Sequence, residues 1–215
     1  MSQLTLTGYH LSVYTRAARM ALVAKGVVFA EEECDPFDAA SAGRLRALHP
    51  FGRVPVLEHD GFRVYETQAI LDYVESAFDG PELAPRDAAA RARMRQVMGI
   101  VDSYLYWPLV RQVFSHRVFR PLMGDAAEEK IVREGLAKAG PVLDALEEIA
   151  AEGLVLLPGR TGLETCLLWP MLDYFRMAPE GGDMLSGRSA LATWAAWADT
   201  CEVARATRPK LPEGV

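Results

Sequence analysis

The stretch HPFGRVPVLEHDGFRVYETQAI, from His49 to Ile70, contains the pattern that decides the fold. Two short runs rich in β-branched and aromatic residues, 54–58 and 62–65, flank turn residues at 59–61 and predict a β-hairpin. A helix is predicted from Thr67 to about residue 78. Pro55 lies where the first strand should begin, although a proline cannot donate a hydrogen bond to a neighbouring strand. Pro55 therefore either begins an ordinary edge strand or holds a cis bond kept for a purpose.

The residues before this stretch predict a parallel β-α-β unit. Residues 3–8 alternate polar and apolar side chains and end in glycine, which predicts a strand. Thr15–Lys25 has apolar residues on one helical face, and Gly26 suits the end of that helix. Val27–Cys34 predicts a second strand, so the connection should be a right-handed crossover. Residues 36–49 predict a loop with a short helix.

The residues after this stretch predict a helical domain. The Gly- and Pro-containing segment 81–86 is interpreted as a linker between a domain at 1–80 and a domain at 87–215. The run at 163–175 is apolar on all sides, which indicates a buried central helix. The other predicted helices are Asp87–Tyr106, Glu128–Ala150, which holds one or two helices, and Ser189–Arg205, whose tryptophans are expected in the core. Residues 109–119 continue the helical pattern beyond Pro108, which should kink or stop the first of these helices. The predicted fold class is an α+β thioredoxin-like domain followed by an all-α helical bundle.

Composition excludes several classes of protein. The 215 residues carry a net charge of −6, so a nucleic-acid partner is not expected. No apolar run approaches the length of about 18 residues that a membrane span needs, and the N-terminus does not resemble a secretory signal. The three cysteines are widely spaced, which fits neither a disulfide framework nor a metal site. The cytoplasm is the expected location.

Three segments resemble one known family. They are GYHLSVYTRAARMALVAKGV at 8–27, HPFGRVPVLE at 49–58 and YETQAI at 65–70. Together they resemble the cytosolic glutathione transferases, most closely the serine-type group that includes the plant phi class. The resemblance is close over residues 3–80 and looser beyond. It implies a homodimer, in which the α/β domain of one subunit lies near the α domain of the other, and glutathione as co-substrate without a metal.

The resemblance implies a glutathione site along the hairpin. In that family the proline matching Pro55 is cis, and the backbone of the preceding residue, here Val54, pairs with the cysteinyl backbone of glutathione like an added strand. Glu66 and Thr67 match the positions that contact the γ-glutamyl amino group and carboxylate. A helix N-terminus favours such an anion. The simpler interpretation is a trans proline on an edge strand and a helix capped by Thr67 or Glu66.

Ser12 is the candidate catalytic residue, because it lies between the first strand and the first helix. A free thiol has a pKa of about 8.5, and lowering it by about two pH units takes roughly 2.7 kcal/mol. This free energy can come from two sources together. One charge-assisted hydrogen bond contributes roughly 1.5–3 kcal/mol, and a helix N-terminus contributes roughly 0.3–1 kcal/mol. Ser12 would then donate to the sulfur, with Tyr9 and Tyr14 as competing hydroxyls and plain N-capping as the simpler role. Cys34 and Cys166 are interpreted as structural, which argues against a thiol-disulfide reductase.

Two positions differ from the resembled pattern in the loop that contacts the glycyl carboxylate. The family usually has His and Lys there, whereas this chain has Ala40 and Ser41. Arg53, next to the hairpin proline, is the candidate replacement for the missing charge. Arg44 and Arg46 are alternatives.

The start of the buried helix also differs from the resembled pattern. The family tends to begin it with a Ser/Thr-x-x-Asp capping box, in which two side chains satisfy backbone N–H groups. This chain has Gly162 and Thr165 in those places. We therefore expect a weaker cap from Thr161 or Thr165.

The second substrate is expected between the domains. Its candidate pocket residues are Leu11, Tyr104, Trp107, Val110 and Phe114. The predicted function is a glutathione transferase that ionises the thiol and adds it to a small apolar electrophile, in detoxification. The alternatives are a non-catalytic binder of glutathione and apolar ligands on the same scaffold, and a glutathione-dependent isomerase.

Overall fold

A four-stranded mixed sheet forms the first part of the chain in a computed structural model, which describes residues 3–212. The strands lie in the order β2-β1-β3-β4, with β1 parallel to β2 and antiparallel to β3, and β3 antiparallel to β4. The strands are β1 (Leu4–Gly8), β2 (Ala30–Glu33), β3 (Val56–His59) and β4 (Phe62–Tyr65). The helices of this part are α1 (Val13–Ala24), α2 (Ala42–Leu48) and α3 (Thr67–Ala77).

The predicted β-α-β unit is confirmed, but its second strand is shorter than expected. β2 begins at Ala30, because the Val27 N–H donates to Leu22 at the end of α1 and Val27 and Phe29 pack against the core before pairing starts. Gly26 follows α1 with φ +70°, a left-handed conformation that favours glycine. All four residues of β2 are exposed on this edge of the sheet.

The predicted hairpin and the helix after it are confirmed. Asp60 and Gly61 form the two-residue turn with φ values of 49° and 86°, the left-handed pair that matches strand twist. β3 begins one residue after Pro55, so Val54 lies outside the strand that the sequence assigned to it. α3 begins at Thr67, as expected.

The second part of the chain is helical. Its segments are α4 (Ala88–Ile100), π1 (Val101–Leu105), π2 (Trp107–Phe119), α5 (Arg120–Leu122), α6 (Glu129–Ala151), α7 (Leu163–Phe175), α8 (Pro179–Ser186), α9 (Ser189–Thr200) and α10 (Glu202–Ala206). The helix does not stop at Pro108, one of the two outcomes expected from the sequence, because the chain continues through it with wider turns. Their hydrogen bonds span five residues, as in Tyr106 N–H to Val101 O. The predicted last helix is divided at Cys201, which is extended with ψ 145°.

α7 is the centre of the helical part. Every residue of α7 is buried, as its apolar sequence predicted. Trp169 and Trp194 pack edge to face with centroids 6.1 Å apart, and both are fully buried. The core extends from these helices to α1 and the sheet without a break. The division of the chain into domains at 81–86 remains a prediction.

Buried contacts fix α1 against the helical part. Arg16 on α1 pairs with Asp173 on α7 at 2.7 Å, and both side chains are 1% exposed. Arg16 also donates to Ala204 O at 3.2 Å. The Tyr174 hydroxyl donates to Leu11 O at 3.1 Å. Since Leu11 immediately precedes the N-cap of α1, these contacts position the loop that carries Ser12.

Candidate functional site

Ser12 is the N-cap of α1. Its N–H donates to Tyr9 O at 2.9 Å, and its Oγ accepts from the Thr15 N–H at 3.2 Å. Within residues 3–212, no group accepts the Ser12 hydroxyl proton. Ser12 is half-buried. Because the cap uses Oγ only as an acceptor, the hydroxyl retains a proton to donate to a ligand at the helix N-terminus.

The two competing tyrosines, Tyr9 and Tyr14, differ from Ser12 because their rings pack against other aromatic side chains and their pKa values are raised. The Tyr14 hydroxyl lies near the Asp102 carboxylate, and its ring packs on Tyr106 with centroids 4.9 Å apart. Burial, together with the charge of Asp102, raises the pKa of Tyr14, so its proton stays engaged. The Tyr9 ring packs edge-on to Phe37 at 6.1 Å, and burial raises the pKa of Tyr9 as well.

The N-terminus of α3 lacks a side-chain cap. Glu66, which precedes it, accepts none of the first N–H groups with its side chain. Its backbone has φ 69° and ψ 117°, a sparsely populated conformation for a residue other than glycine. Thr67 opens the helix and is buried. This helix end therefore offers backbone N–H groups and a hydroxyl to an anion.

The His49 imidazole lies next to the Glu66 carboxylate, a contact that sequence reasoning missed. Its Nδ1 accepts from the Phe51 N–H at 3.2 Å, and its Nε2 lies 3.7 Å from the Glu66 carboxylate. The imidazole packs on Tyr65 with centroids 4.5 Å apart. Burial lowers the pKa of His49, which favours the neutral ring with its proton on Nε2, facing Glu66. The histidine immediately before the Pro-Phe-Gly turn was the available signal.

The segment before β3 presents an unpaired backbone. The Val54–Pro55 peptide bond is cis. No described residue hydrogen-bonds to the Val54 backbone, which is half-buried. Arg53 is exposed and has no acidic partner between residues 3 and 212, and neither has Arg46, whereas Arg44 pairs with Glu32.

Two of the five predicted pocket residues, Leu11 and Phe114, are connected through Tyr174 next to Ser12. Both are buried, and so is Val110, a third predicted pocket residue. The Tyr174 hydroxyl bonds to Leu11 O, while its ring stacks on Phe114 with centroids 4.1 Å apart. These residues form an apolar wall where the helical part meets the β1–α1 loop.

The structure does not bring Tyr104 and Trp107 to that wall. They are 65% and 60% exposed and lie on an open groove of about 510 Å³ between the π segments and α6. The groove is lined by Ser103, Tyr104, Trp107, Pro108, Ala137, Lys138, Pro141 and Val142. In an α-helix Trp107 and Phe114, seven residues apart, would share a face. The wider turns of π2 rotate them apart, and the sequence did not show these turns.

Asp102 lies near the N-terminal turns of both helices of the site, which sequence reasoning also missed. Its Oδ2 accepts from Gln68 Nε2 on α3 at 2.7 Å, and its charge helps to raise the pKa of the neighbouring Tyr14 on α1. Gln68 also donates to Met98 O at 3.2 Å. One carboxylate of the helical part therefore bonds to α3 and faces α1.

The described part of the chain contains neither a metal-binding cluster nor a membrane-spanning helix. Between residues 3 and 212, no group of three or more His, Cys, Asp or Glu side chains is arranged to hold a metal ion. In the same range, no helix combines the length and apolar character required to cross a membrane. The three cysteines are free, and Cys34 and Cys166 are buried.

The chain combines a thioredoxin-like sheet region with a helical region. It places a serine at one helix N-terminus and leaves a second helix N-terminus without a side-chain cap. Residues 6–82 match the N-terminal domain of glutathione S-transferases. The chain is 27% identical over 184 residues to glutathione S-transferase F10 of Arabidopsis thaliana, covering 84% of this chain and 85% of that protein. Glutathione S-transferase F9 of the same plant is 28% identical to this chain over 203 residues, which cover 91% of each protein.

Solved structures share this fold over nearly the whole chain. Glutathione S-transferase III in its apo form has a TM-score of 0.83 at 23% identity and covers 95% of both chains. Glutathione S-transferase I bound to lactoylglutathione has a TM-score of 0.83 at 18% identity, covering 95% of this chain and 98% of the other. At these identities the likeness concerns the fold alone.

Proposed function

We propose that this protein is a glutathione transferase that ionises the glutathione thiol beside Ser12 and adds the sulfur to a small apolar electrophile. The observation that carries the proposal is the pair of helix N-termini, α1 with the free hydroxyl proton of Ser12 and α3 with the uncapped Thr67. The unpaired backbone of Val54 precedes β3 in the same sheet region. The relatives' names support glutathione as the co-substrate.

Each part of the tripeptide has a partner of suitable chemistry. The γ-glutamyl carboxylate binds at Thr67 and the first N–H groups of α3, and its ammonium group faces Glu66. The cysteinyl backbone pairs with Val54 as an added strand. The glycyl carboxylate is bound by Arg53, an exposed cation without an acidic partner in the described chain. The sulfur then lies at Ser12.

Ser12 lowers the energy of the thiolate and does not act as a nucleophile. The thiol proton leaves to solvent, and the Ser12 hydroxyl donates a hydrogen bond to the sulfur anion. With a chloronitrobenzene as second substrate, the thiolate attacks the aryl carbon, the carbon–sulfur bond forms and chloride leaves. The remaining rate gain comes from holding both reactants together, with the electrophile against Leu11, Val110 and Phe114.

The Ser12→Ala variant tests this mechanism. We expect about 10- to 100-fold lower kcat/KM with 1-chloro-2,4-dinitrobenzene and a higher pKa of bound glutathione thiol, measured by thiolate absorbance against pH. The exposed Ser76, on α3, provides the matched control Ser76→Ala, which should behave like the wild type. Retention on glutathione resin with no turnover, and no difference between Ser12→Ala and the wild type, would instead indicate a non-catalytic binder. Activity lost on replacing a cysteine would indicate a reductase.

We also propose a homodimer. Phe51, in the turn before the hairpin, is 71% exposed, and the helical part carries the open apolar groove at Tyr104 and Trp107. In a two-fold dimer each subunit could insert Phe51 into the partner's groove, which would bury both features twice. Light scattering during gel filtration should give a dimer for the wild type and a larger monomer fraction for Phe51→Ser. An exclusively monomeric wild type would contradict the proposal.

A cytoplasmic location and a role in detoxification complete the proposal. The cytoplasm supplies glutathione and keeps thiols reduced, which suits the free Cys34, Cys166 and Cys201. Addition of glutathione makes an apolar electrophile more polar and no longer reactive. Fractionation of the native cells, followed by detection with an antibody, tests the location.

A further inference from the structure

Arg111 reaches from the helical part to the loop between β2 and α2. Arg111 lies on π2, and its Cζ is 5.9 Å from the centroid of the Phe37 ring in that loop. Phe37 in turn packs edge-on to Tyr9 at 6.1 Å, and the Tyr9 carbonyl accepts the Ser12 N–H. Two ring contacts therefore connect the guanidinium of Arg111 to the loop that carries Ser12.

Arg111 is a cation without a carboxylate partner in the described part of the chain. Within residues 3–212, no Asp or Glu oxygen lies within 4.0 Å of its guanidinium nitrogens. The next two arginines in the chain differ, since Arg117 on π2 pairs with Glu129 and Glu180, and Arg120 on α5 pairs with an acidic residue as well. The contact with the exposed Phe37 leaves the guanidinium N–H groups available to an anion.

The wall next to Arg111 is apolar. Val110 precedes it in the chain, and Phe114 lies less than one turn further along π2. Phe114 stacks on Tyr174, which hydrogen-bonds to Leu11 beside Ser12. A flat apolar body would contact this wall, and a negative group on the side remote from the sulfur would meet the arginine.

We propose that the second substrate is an apolar or aromatic electrophile that carries a carboxylate, and that Arg111 binds this carboxylate. The inference rests on the proposed transferase function and adds the class of electrophile. Arginine suits the task because its planar fork matches the two oxygens of a carboxylate. Arg111 is thus a specificity-determining residue, whereas Ser12 acts equally on both charged and neutral electrophiles.

A matched pair of electrophiles tests the inference. 4-Chloro-3-nitrobenzoate and its methyl ester both lose chloride to the thiolate at the same carbon, and they differ in the charge of one group. The Arg111→Ala variant should lose about tenfold in kcat/KM for the carboxylate and less than about twofold for the ester. Comparing each variant with the wild type cancels the difference in intrinsic reactivity of the two compounds. Raising the salt concentration should reduce the wild-type preference, since this cation is exposed.

Arg91 provides the control, because it is exposed on α4 and has no acidic partner in the described chain. Arg91→Ala should leave both substrates unchanged. Equal losses for carboxylate and ester in Arg111→Ala would overturn the inference, as would a raised KM for glutathione with an unchanged ratio of the two electrophiles, which would place Arg111 at the glycyl carboxylate. If the wild type turns over neither compound nor 1-chloro-2,4-dinitrobenzene, the proposed function itself fails.

Discussion

A buried carboxylate at the start of α7 makes the stability of the protein depend on pH. Glu164 is 3% exposed, and its carboxylate lies beside Gly162, in the space that a side chain at the N-cap would occupy. Its Oε2 has no hydrogen-bond partner in the described chain, and nearby backbone N–H groups and Arg160 only partly offset the cost of burying the charge. Glu164 thus fills the space at the start of α7, although burial disfavours its charge.

The size of this pH dependence follows from the shifted pKa of Glu164. Burial raises the pKa of Glu164 from 4.5 to about 7, and the backbone N–H bonds only partly oppose this. The folded state therefore binds more protons than the unfolded state between these values, and stability falls as the pH rises through them. The difference corresponds to roughly 3 kcal/mol, fully lost once the pH is well above 7. Glutamine keeps the shape of the protonated acid and carries no charge to bury.

The Glu164→Gln variant should therefore become more stable than the wild type at alkaline pH. Urea unfolding at about pH 5 and about pH 8.5 is followed by the fluorescence of the buried Trp169 and Trp194. We expect the advantage of the variant to grow by about 2–3 kcal/mol between the two pH values. Glu148→Gln, at an exposed position on α6, is the control and should show no such growth. A constant difference between Glu164→Gln and wild type would refute the reasoning.

Three further predictions concern the contacts around the site. Asp173→Asn leaves the buried Arg16 without its counter-charge, so the free energy of unfolding should fall by about 3–5 kcal/mol in urea titrations, and a change below about 1 kcal/mol would contradict it. Gly181→Ala places a Cβ in steric overlap with the backbone oxygen of Phe175. The same titration should show a loss of about 1–3 kcal/mol, against no such clash for Gly140→Ala, where a Cβ would meet open space. Asp102→Ala removes the carboxylate that bonds to Gln68 on α3 and faces Tyr14 on α1, so the KM for glutathione should rise about 3- to 10-fold. The urea midpoint should stay close to that of the wild type because this aspartate is exposed, and an unchanged KM would show that these contacts do not affect glutathione binding.

The sequence correctly predicted those elements whose conformation is determined by residues adjacent in the chain. The Asp60-Gly61 turn predicted the hairpin, because few other residues adopt two successive left-handed conformations. The apolar run predicted α7 with both ends correct, because a segment that is apolar on all sides must be buried. Helix α8, in contrast, was missed, because its PEGGDMLS sequence contains two glycines and lacks an apolar face.

The parts of the site that sequence reasoning missed depend on contacts between distant residues. Ser12 and Thr67 could be located in advance because each begins a helix that its own sequence specifies. No pattern in the neighbouring sequence indicated that Asp102 would lie against both of those helices. None indicated that the turns of π2 would place Trp107 away from Phe114 either. Hydrogen-bond geometry across the fold determines these features, and hydrophobic periodicity carries no information about it.

The placement of Ser12 illustrates why the helical part matters for a site built mainly on the sheet region. The loop before α1 is held by the bond from Tyr174 to Leu11, whose residues are 163 apart in sequence, and α1 itself by the ion pair between Arg16 and Asp173, 157 apart. A hydrogen bond to a sulfur anion is strong only when its donor is already in position, since any freedom it retains must be lost on binding. In the proposed mechanism, the residues of α7 therefore contribute to thiolate formation without touching the ligand, because they keep the donor where the helix N-terminus can assist it.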